Sequence, residues 1–224
     1  MKTEERKIKD LKYLMIYPDG YVEGEKYPVV FYFHGAGSRG DTFDVLKENP
    51  YFSYAYSFDE FSFITVAPLC SKNMWFDHFE TLTELIKETA GSGIADPERI
   101  YITGLSMGGY ACWQLAMSLP EIFAAAIPIC GGGMYWNAAR LKNMPIWAFH
   151  GALDKTVLPE ESVKMVNAVN AAGGNAKLTV FDDVMHKSWI PAYSNVETFR
   201  WLFSHKKSHG ELDKDKYTDS KIYG

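Results

Sequence analysis

The sequence predicts an α/β protein with one mainly parallel, doubly wound sheet and helices on both of its faces. Three observations carry this. Residues 28–33 and 145–149 are continuous apolar runs without polar alternation, the pattern of strands buried on both faces. Such runs alternate along the chain with segments whose apolar residues recur at helical spacing. Residues 99–109 pass from a β-branched and aromatic run, through a serine between glycines, into a stretch free of Gly and Pro.

Taken in order, residues 11–17 form an early strand that ends in the turn Pro18, Asp19, Gly20. Residues 28–33 form a second strand and run directly into His34, Gly35, Ala36 and Gly37. A third covers 62–67 and is closed by Pro68. A helix over about 78–90 sets Phe79, Leu82 and Ile86 against Glu84, Lys87 and Glu88 on its other face, and Gly91 and Gly93 stop it. The strand at 100–103 turns at Ser106 into a helix over 110–119. Another strand covers 123–130, with Gly131, Gly132 and Gly133 as a mobile turn after it. The strand at 145–149 leads to His150 and Asp154. Pro159 at a first helical position, followed by Glu160 and Glu161, opens a helix with Val163, Val166 and Val169 facing inward. Residues 177–181 are the last strand, followed by the loop bearing His186 and a closing helix near 196–204. This gives one domain over 1–205 and a polar tail over 206–224. Only residues 131–144 stand where a lid would be inserted, so no large lid domain is expected.

Composition narrows the function. A chain of 224 residues with 47% hydrophobic and 15% aromatic residues can bury one large core. Its net charge of −5, with mixed signs, provides no basic stripe for nucleic acid. The charged N-terminus is followed by no apolar signal segment, and no stretch reaches the roughly 18 apolar residues of a membrane span. A cytoplasmic protein with no membrane partner is the expectation. Cys70, Cys112 and Cys130 lack metal-type spacing and read as reduced, buried thiols, with a Cys70–Cys130 pair left open.

The stretch Gly104-Leu105-Ser106-Met107-Gly108 is the chemical centre. A serine on a strained strand-to-helix turn needs neighbours without side chains, because a Cβ at either glycine would meet nearby backbone. A serine hydroxyl is a weak nucleophile; it requires a base within hydrogen-bond reach and a carboxylate that fixes the tautomer of that base. The order serine, acid, histidine is met by Ser106, Asp154 and His186, with Asp182 and Asp183 as rival acids. His34 and His150 lie on strand ends ahead of the acid and do not suit the base role. The backbone N–H groups of Met107 and of Ala36 or Gly35 are the expected oxyanion donors. Trp75, Trp136 and Trp189 stand in loops on the same side and are the expected substrate-gripping aromatics.

These motifs resemble the compact α/β-hydrolase esterases, and within them the feruloyl-esterase-like or predicted-peptidase branch related to the first carbohydrate-esterase family and to polyhydroxybutyrate depolymerases. The likeness covers about residues 10–204 and rests on segments 27–41, 94–110, 128–133, 146–154 and 186–189 in their proper order. It implies an α/β-hydrolase fold, Ser106, Asp154 and His186 as a triad, and the Ala36 and Met107 amides as the oxyanion hole. It further implies a serine esterase without cofactor or metal, acting on small, aryl (hydroxycinnamoyl or feruloyl) or acetyl esters of plant-derived saccharides. A serine peptidase or acyl-peptide hydrolase is the enzymatic alternative, and a non-catalytic binding protein of the same fold is the other. Where that branch carries Gly-Glu-Arg-Gly after the oxyanion loop, this chain has Gly37-Ser38-Arg39-Gly40, a departure that touches no reacting atom.

Overall fold

Eight strands define the architecture of residues 2–207, the residues described by a computed structural model. They are β1 (Thr3–Ile8), β2 (Leu11–Ile16), β3 (Tyr27–Phe33), β4 (Ile64–Leu69), β5 (Ala95–Leu105), β6 (Ala125–Ile129), β7 (Ile146–Gly151) and β8 (Ala176–Phe181). Their spatial order is β1-β2-β4-β3-β5-β6-β7-β8. The first two pairings, β1 with β2 and β2 with β4, are antiparallel, and every later pairing is parallel. The expected doubly wound sheet is therefore present from β4 to β8, with a hairpin added along one edge.

Strand periodicity divides the core into two layers. In β3, Val29, Phe31 and Phe33 point to one face while Val30 and Tyr32 point to the other, and all are fully buried. The first face is covered by α3 (Phe79–Gly91), α4 (Met107–Ser118) and α5 (Glu160–Ala171), through residues such as Leu82, Trp113 and Met165. The second is covered by α1 (Asp44–Lys47), α2 (Pro50–Ala55), α6 (Trp189–Ser194) and α7 (Val196–Ser204), through Leu46, Tyr51, Tyr193 and Phe199. Nearly all of α4 is buried, which suits a helix lying at the middle of the sheet behind the central strand β5.

Several expectations are corrected. The charged run at the N-terminus forms β1, an edge strand that pairs Ile8 with Leu11 and leaves most of its side chains in solvent. Pro68 does not close β4: it lies within it opposite Tyr13, beyond Val66, the last β4 residue paired to β3, where a missing N–H breaks no ladder bond. Val163 is 37% exposed, and the inward face of α5 is made by Ser162, Met165, Val166 and Val169. Gly131 is no loose turn; it is buried against the start of α4, where a Cβ would lie 2.6 Å from the Gly109 carbonyl carbon. All three cysteines are free and buried as expected, and the Cys70–Cys130 pair left open is not formed. Residues 205–207 are pinned to the sheet, with Tyr101 donating to His205 O at 2.7 Å and Lys207 N–H to Glu98 O at 2.8 Å. The rest of the expected tail, with His209, lies outside the described residues.

Candidate active site

Ala36, Ser106, Asp154 and His186 follow the C-terminal ends of β3, β5, β7 and β8, the edge at which parallel α/β sheets gather their ligands. At the end of β5 the chain reverses into α4 at Ser106, which takes φ 54° and ψ −117°. A non-glycine residue reaches that left-handed φ only when its surroundings hold it there. Here the hold comes from both sides. Ser106 N–H donates to Ile129 O on β6 at 2.9 Å, and a Cβ on Gly108 would stand 1.9 Å from Phe33 O on β3. Any side chain at 108 would push the turn off β3 and away from the loop that follows it.

Two hydrogen bonds connect the three expected residues. Ser106 Oγ and His186 Nε2 are 2.9 Å apart, and His186 Nδ1 and Asp154 Oδ2 are 2.7 Å apart. Asp154 is 2% exposed. Burial opposes its charge, but hydrogen bonds from His186, Val157 N–H and Thr156 N–H outweigh that and hold its carboxyl below the usual carboxylate range. The two amides bond Oδ1, at 2.8 Å for Thr156 and 3.1 Å for Val157, leaving Oδ2 for the histidine. Asp182 and Asp183 are exposed, and neither forms a hydrogen bond to His186. Gly151 lets the histidine loop come this close, since a Cβ there would lie 2.2 Å from both Val184 O and Met185 O.

Ala36 opens a short 3-10 helix (Ala36–Ser38) and Met107 opens α4, so the N–H groups of both belong to the first-turn donors that a helix leaves without internal acceptors. A Cβ on Gly35 would fall 3.5 Å from Ser106 Cβ and 2.7 Å from Leu105 Cδ1, which measures how closely this loop rides over the serine. His34 anchors the loop. Its Nδ1–H donates to Gly35 O at 2.7 Å and its Nε2 accepts Cys70 N–H at 3.0 Å. Burial lowers its pKa to about 4, so it stays neutral and keeps this tautomer at pH 7.

The three tryptophans part company. Trp75 is 1% exposed, gives its indole N–H to His34 O at 3.0 Å and packs on Phe33 and His34. It props the loop from below and offers no face to a ligand, which corrects its assignment as a substrate-binding residue. Trp136 is 72% exposed and meets Tyr135 edge-on at 5.3 Å. Trp189 sets its ring edge to face with His186 at 5.5 Å.

His150, which precedes the acid in the chain and does not suit the base role, has a structural part at the site. It is fully buried, with Nε2 2.9 Å from Val157 O and 3.3 Å from Asp154 Oδ2, and Nδ1 2.8 Å from Ser162 Oγ. It steadies the loop that supplies both amides to Asp154. The spacing His150-Gly151-x-x-Asp154 was the available signal. Cys130, Asp154 and His186 offer potential metal-ligand atoms within 4.8 Å of one another. Yet Asp154 and His186 are bonded to each other, and burial pushes the Cys130 thiol up to about 12, so it is protonated at neutral pH. Among the described residues no helix is long and apolar enough to cross a membrane.

A sequence profile of phospholipases and carboxylesterases matches residues 59–201. The chain belongs to this α/β-hydrolase family. Among solved structures it is similar to a thermostable esterase, with 32% identity, a TM-score of 0.77 and coverage of 92% of this chain and 63% of that one. A ferulic acid esterase of 17% identity shares the fold, with a TM-score of 0.68 over 91% of this chain and 97% of that one. A 52-residue stretch is 35% identical to poly(3-hydroxyalkanoate) depolymerase C of Paucimonas lemoignei, covering 23% of this chain and 13% of the depolymerase. The chain thus spans less than two thirds of the length of both the thermostable esterase and the depolymerase.

Proposed function

We propose that this family member is a serine carboxylic ester hydrolase that works through an acyl-enzyme. The observation that carries the reading is the hydrogen-bonded line from Ser106 Oγ to His186 Nε2 and from His186 Nδ1 to Asp154 Oδ2, at 2.9 and 2.7 Å. In the reaction Ser106 Oγ attacks the ester carbonyl carbon while its proton passes to His186 Nε2. Negative charge gathers on the carbonyl oxygen, where the amides of Ala36 and Met107 receive it. The carbon–oxygen bond to the alcohol breaks as His186 returns the proton to the leaving oxygen. Water then attacks the acyl carbon, giving its proton to His186, and the acid departs as Ser106 recovers that proton. Asp154 holds Nδ1–H throughout and stabilises the imidazolium in between.

Small, aryl (hydroxycinnamoyl or feruloyl) and acetyl esters of plant-derived saccharides are the substrates this reading assigns. Support comes from the motif resemblance and from the exposed Tyr135–Trp136 pair with Trp189 beside His186. The test is a panel of short acyl nitrophenyl esters, methyl ferulate, acetylated xylo-oligosaccharides and a chromogenic peptide, run with the wild type and Ser106→Ala. Ester turnover falling by about 10⁶-fold in Ser106→Ala is the expected result. Retained turnover removes the serine from the mechanism, and turnover of the peptide alone moves the activity to a peptidase.

A further inference from the structure

We infer that Arg39 forms an anion subsite beside Ser106, so that the preferred ester carries a carboxylate or a similar anionic group next to the scissile bond. This deepens the esterase reading and rests on it. Arg39 follows directly on the 3-10 helix Ala36–Ser38, and its own N–H donates to Ala36 O at 3.3 Å. Its guanidinium reaches across to α4, where Nη2 lies 3.7 Å from the Sδ of Met107, the residue after the nucleophile, and 3.8 Å from Met74 Sδ. The cation therefore stands on the same loop and against the same helix start as the two proposed oxyanion donors.

Its partners set it apart from the other arginines. Arg6 pairs with Glu4, Arg99 with Asp96 and Arg200 with Glu60 and Glu197, while Arg140 donates to Met117 O at 2.6 Å. Among the described residues Arg39 has no carboxylate within 4.0 Å and meets only the two thioethers, which are weak acceptors. A guanidinium presents five N–H donors in a planar fork that matches a carboxylate, a geometry the two thioether contacts of Arg39 do not use. The residue before it is Ser38, not an acid, and Asp77, whose Oδ2 accepts Met74 N–H at 2.9 Å, forms no ion pair with Arg39 within 4.0 Å.

The opposite flank is charge-compensated. β3, which leads to Arg39, pairs with one edge of β5, and β6, which leads to Gly132, pairs with the other. On that second side Glu161 lies against Gly132 and is paired with Lys164, whose Nζ is 3.2 Å from Oε1. An anionic end of a substrate would thereby find its attraction at Arg39, not at the Glu161–Lys164 pair.

Two pairs of esters that differ only by carboxylate against carboxamide test this: monomethyl terephthalate with methyl 4-carbamoylbenzoate, charged on the acyl side, and 4-acetoxybenzoate with 4-acetoxybenzamide, charged on the alcohol side. For at least one pair, the wild type is expected to show a carboxylate-to-carboxamide ratio of kcat/KM of about five, the effect of one charge-assisted contact at an exposed site. That ratio should fall toward one in Arg39→Gln, survive largely in Arg39→Lys, and shrink as salt is raised to about 0.5 M, where screening shortens the reach of the charge. A wild-type ratio at or below one for both pairs, or a ratio that Arg39→Gln leaves unchanged, overturns the subsite and leaves the esterase reading standing. Turnover of the carboxamide esters that persists in Ser106→Ala overturns the esterase reading and the subsite with it.

Discussion

Replacing Asp154 by Asn isolates what the carboxylate contributes. The side chain keeps its size, and the N–H groups of Thr156 and Val157 still require an acceptor at the place of Oδ1. The amide oxygen must take that place, which turns the NH₂ group toward His186 Nδ1, at the 2.7 Å position now held by Oδ2. An NH₂ group only donates, so Nδ1 has to become the acceptor and the ring proton moves to Nε2. That proton then points at Ser106 Oγ, 2.9 Å away, and the base can no longer accept the hydroxyl proton. The same change of tautomer in a serine protease triad lowers kcat about 10⁴-fold, which corresponds to about 5.5 kcal/mol in the barrier. The assay is the steady-state hydrolysis of a short acyl nitrophenyl ester near pH 7.5, alongside thermal unfolding to verify the fold. Asp182→Asn and Asp183→Asn, at exposed positions, are expected to stay within about twofold of the wild type. An Asp154→Asn enzyme within about tenfold of the wild type, or a larger loss at 182 or 183, would refute the tautomer argument.

Two further predictions follow from the same loop. Gly151→Ala puts a Cβ 2.2 Å from two backbone carbonyls of the His186 loop, so that loop must shift. A loss of about 1–3 kcal/mol in stability and of about 10²-fold in kcat is expected, read by denaturant unfolding and ester turnover; an unchanged kcat would mean that the loop is not held by this contact. The pH dependence of stability has a definite sign. Because the Asp154 carboxyl is depressed in the folded protein, its ionised form adds stability that is fully present above the unfolded-state value of about 3.9 and is lost as pH falls through the folded one. The Tm difference between the wild type and Asp154→Asn should therefore be greatest above about pH 5 and close below pH 4. A difference that widens toward acid contradicts this.

Much of the fold was legible because strands buried on both faces must be apolar throughout: residues 28–33 and 145–149 left little choice. β1 was illegible for the converse reason, since an edge strand with both faces largely in solvent can be charged and carries no hydrophobic pattern. Pro68 misled because the rule that proline ends a strand holds only where its N–H is needed. At the candidate site, the grouping of Ser106, Asp154 and His186 into one hydrogen-bonded line could be anticipated from chain order and glycine spacing, since both encode a strained turn and the loops around it. Trp75 could not be told from Trp136 by sequence, because both follow strand ends and only packing puts one under the loop that begins at His34 and the other in water. The partners of Arg39 were equally hidden, being contacts with segments remote in the chain, whereas those of His150 lie within a dozen residues of it and were signalled by the His150–Asp154 spacing.

The central claim, that Ser106 is the atom to which acyl groups are transferred, is tested most directly by trapping it. Diethyl 4-nitrophenyl phosphate loses one nitrophenolate for each serine it phosphorylates, and the modified residue can be located by peptide mass spectrometry. One equivalent of nitrophenolate and a diethylphosphoryl group on Ser106 are expected, with neither seen in Ser106→Ala. A burst of equal size in Ser106→Ala, or label on another residue, would contradict the account.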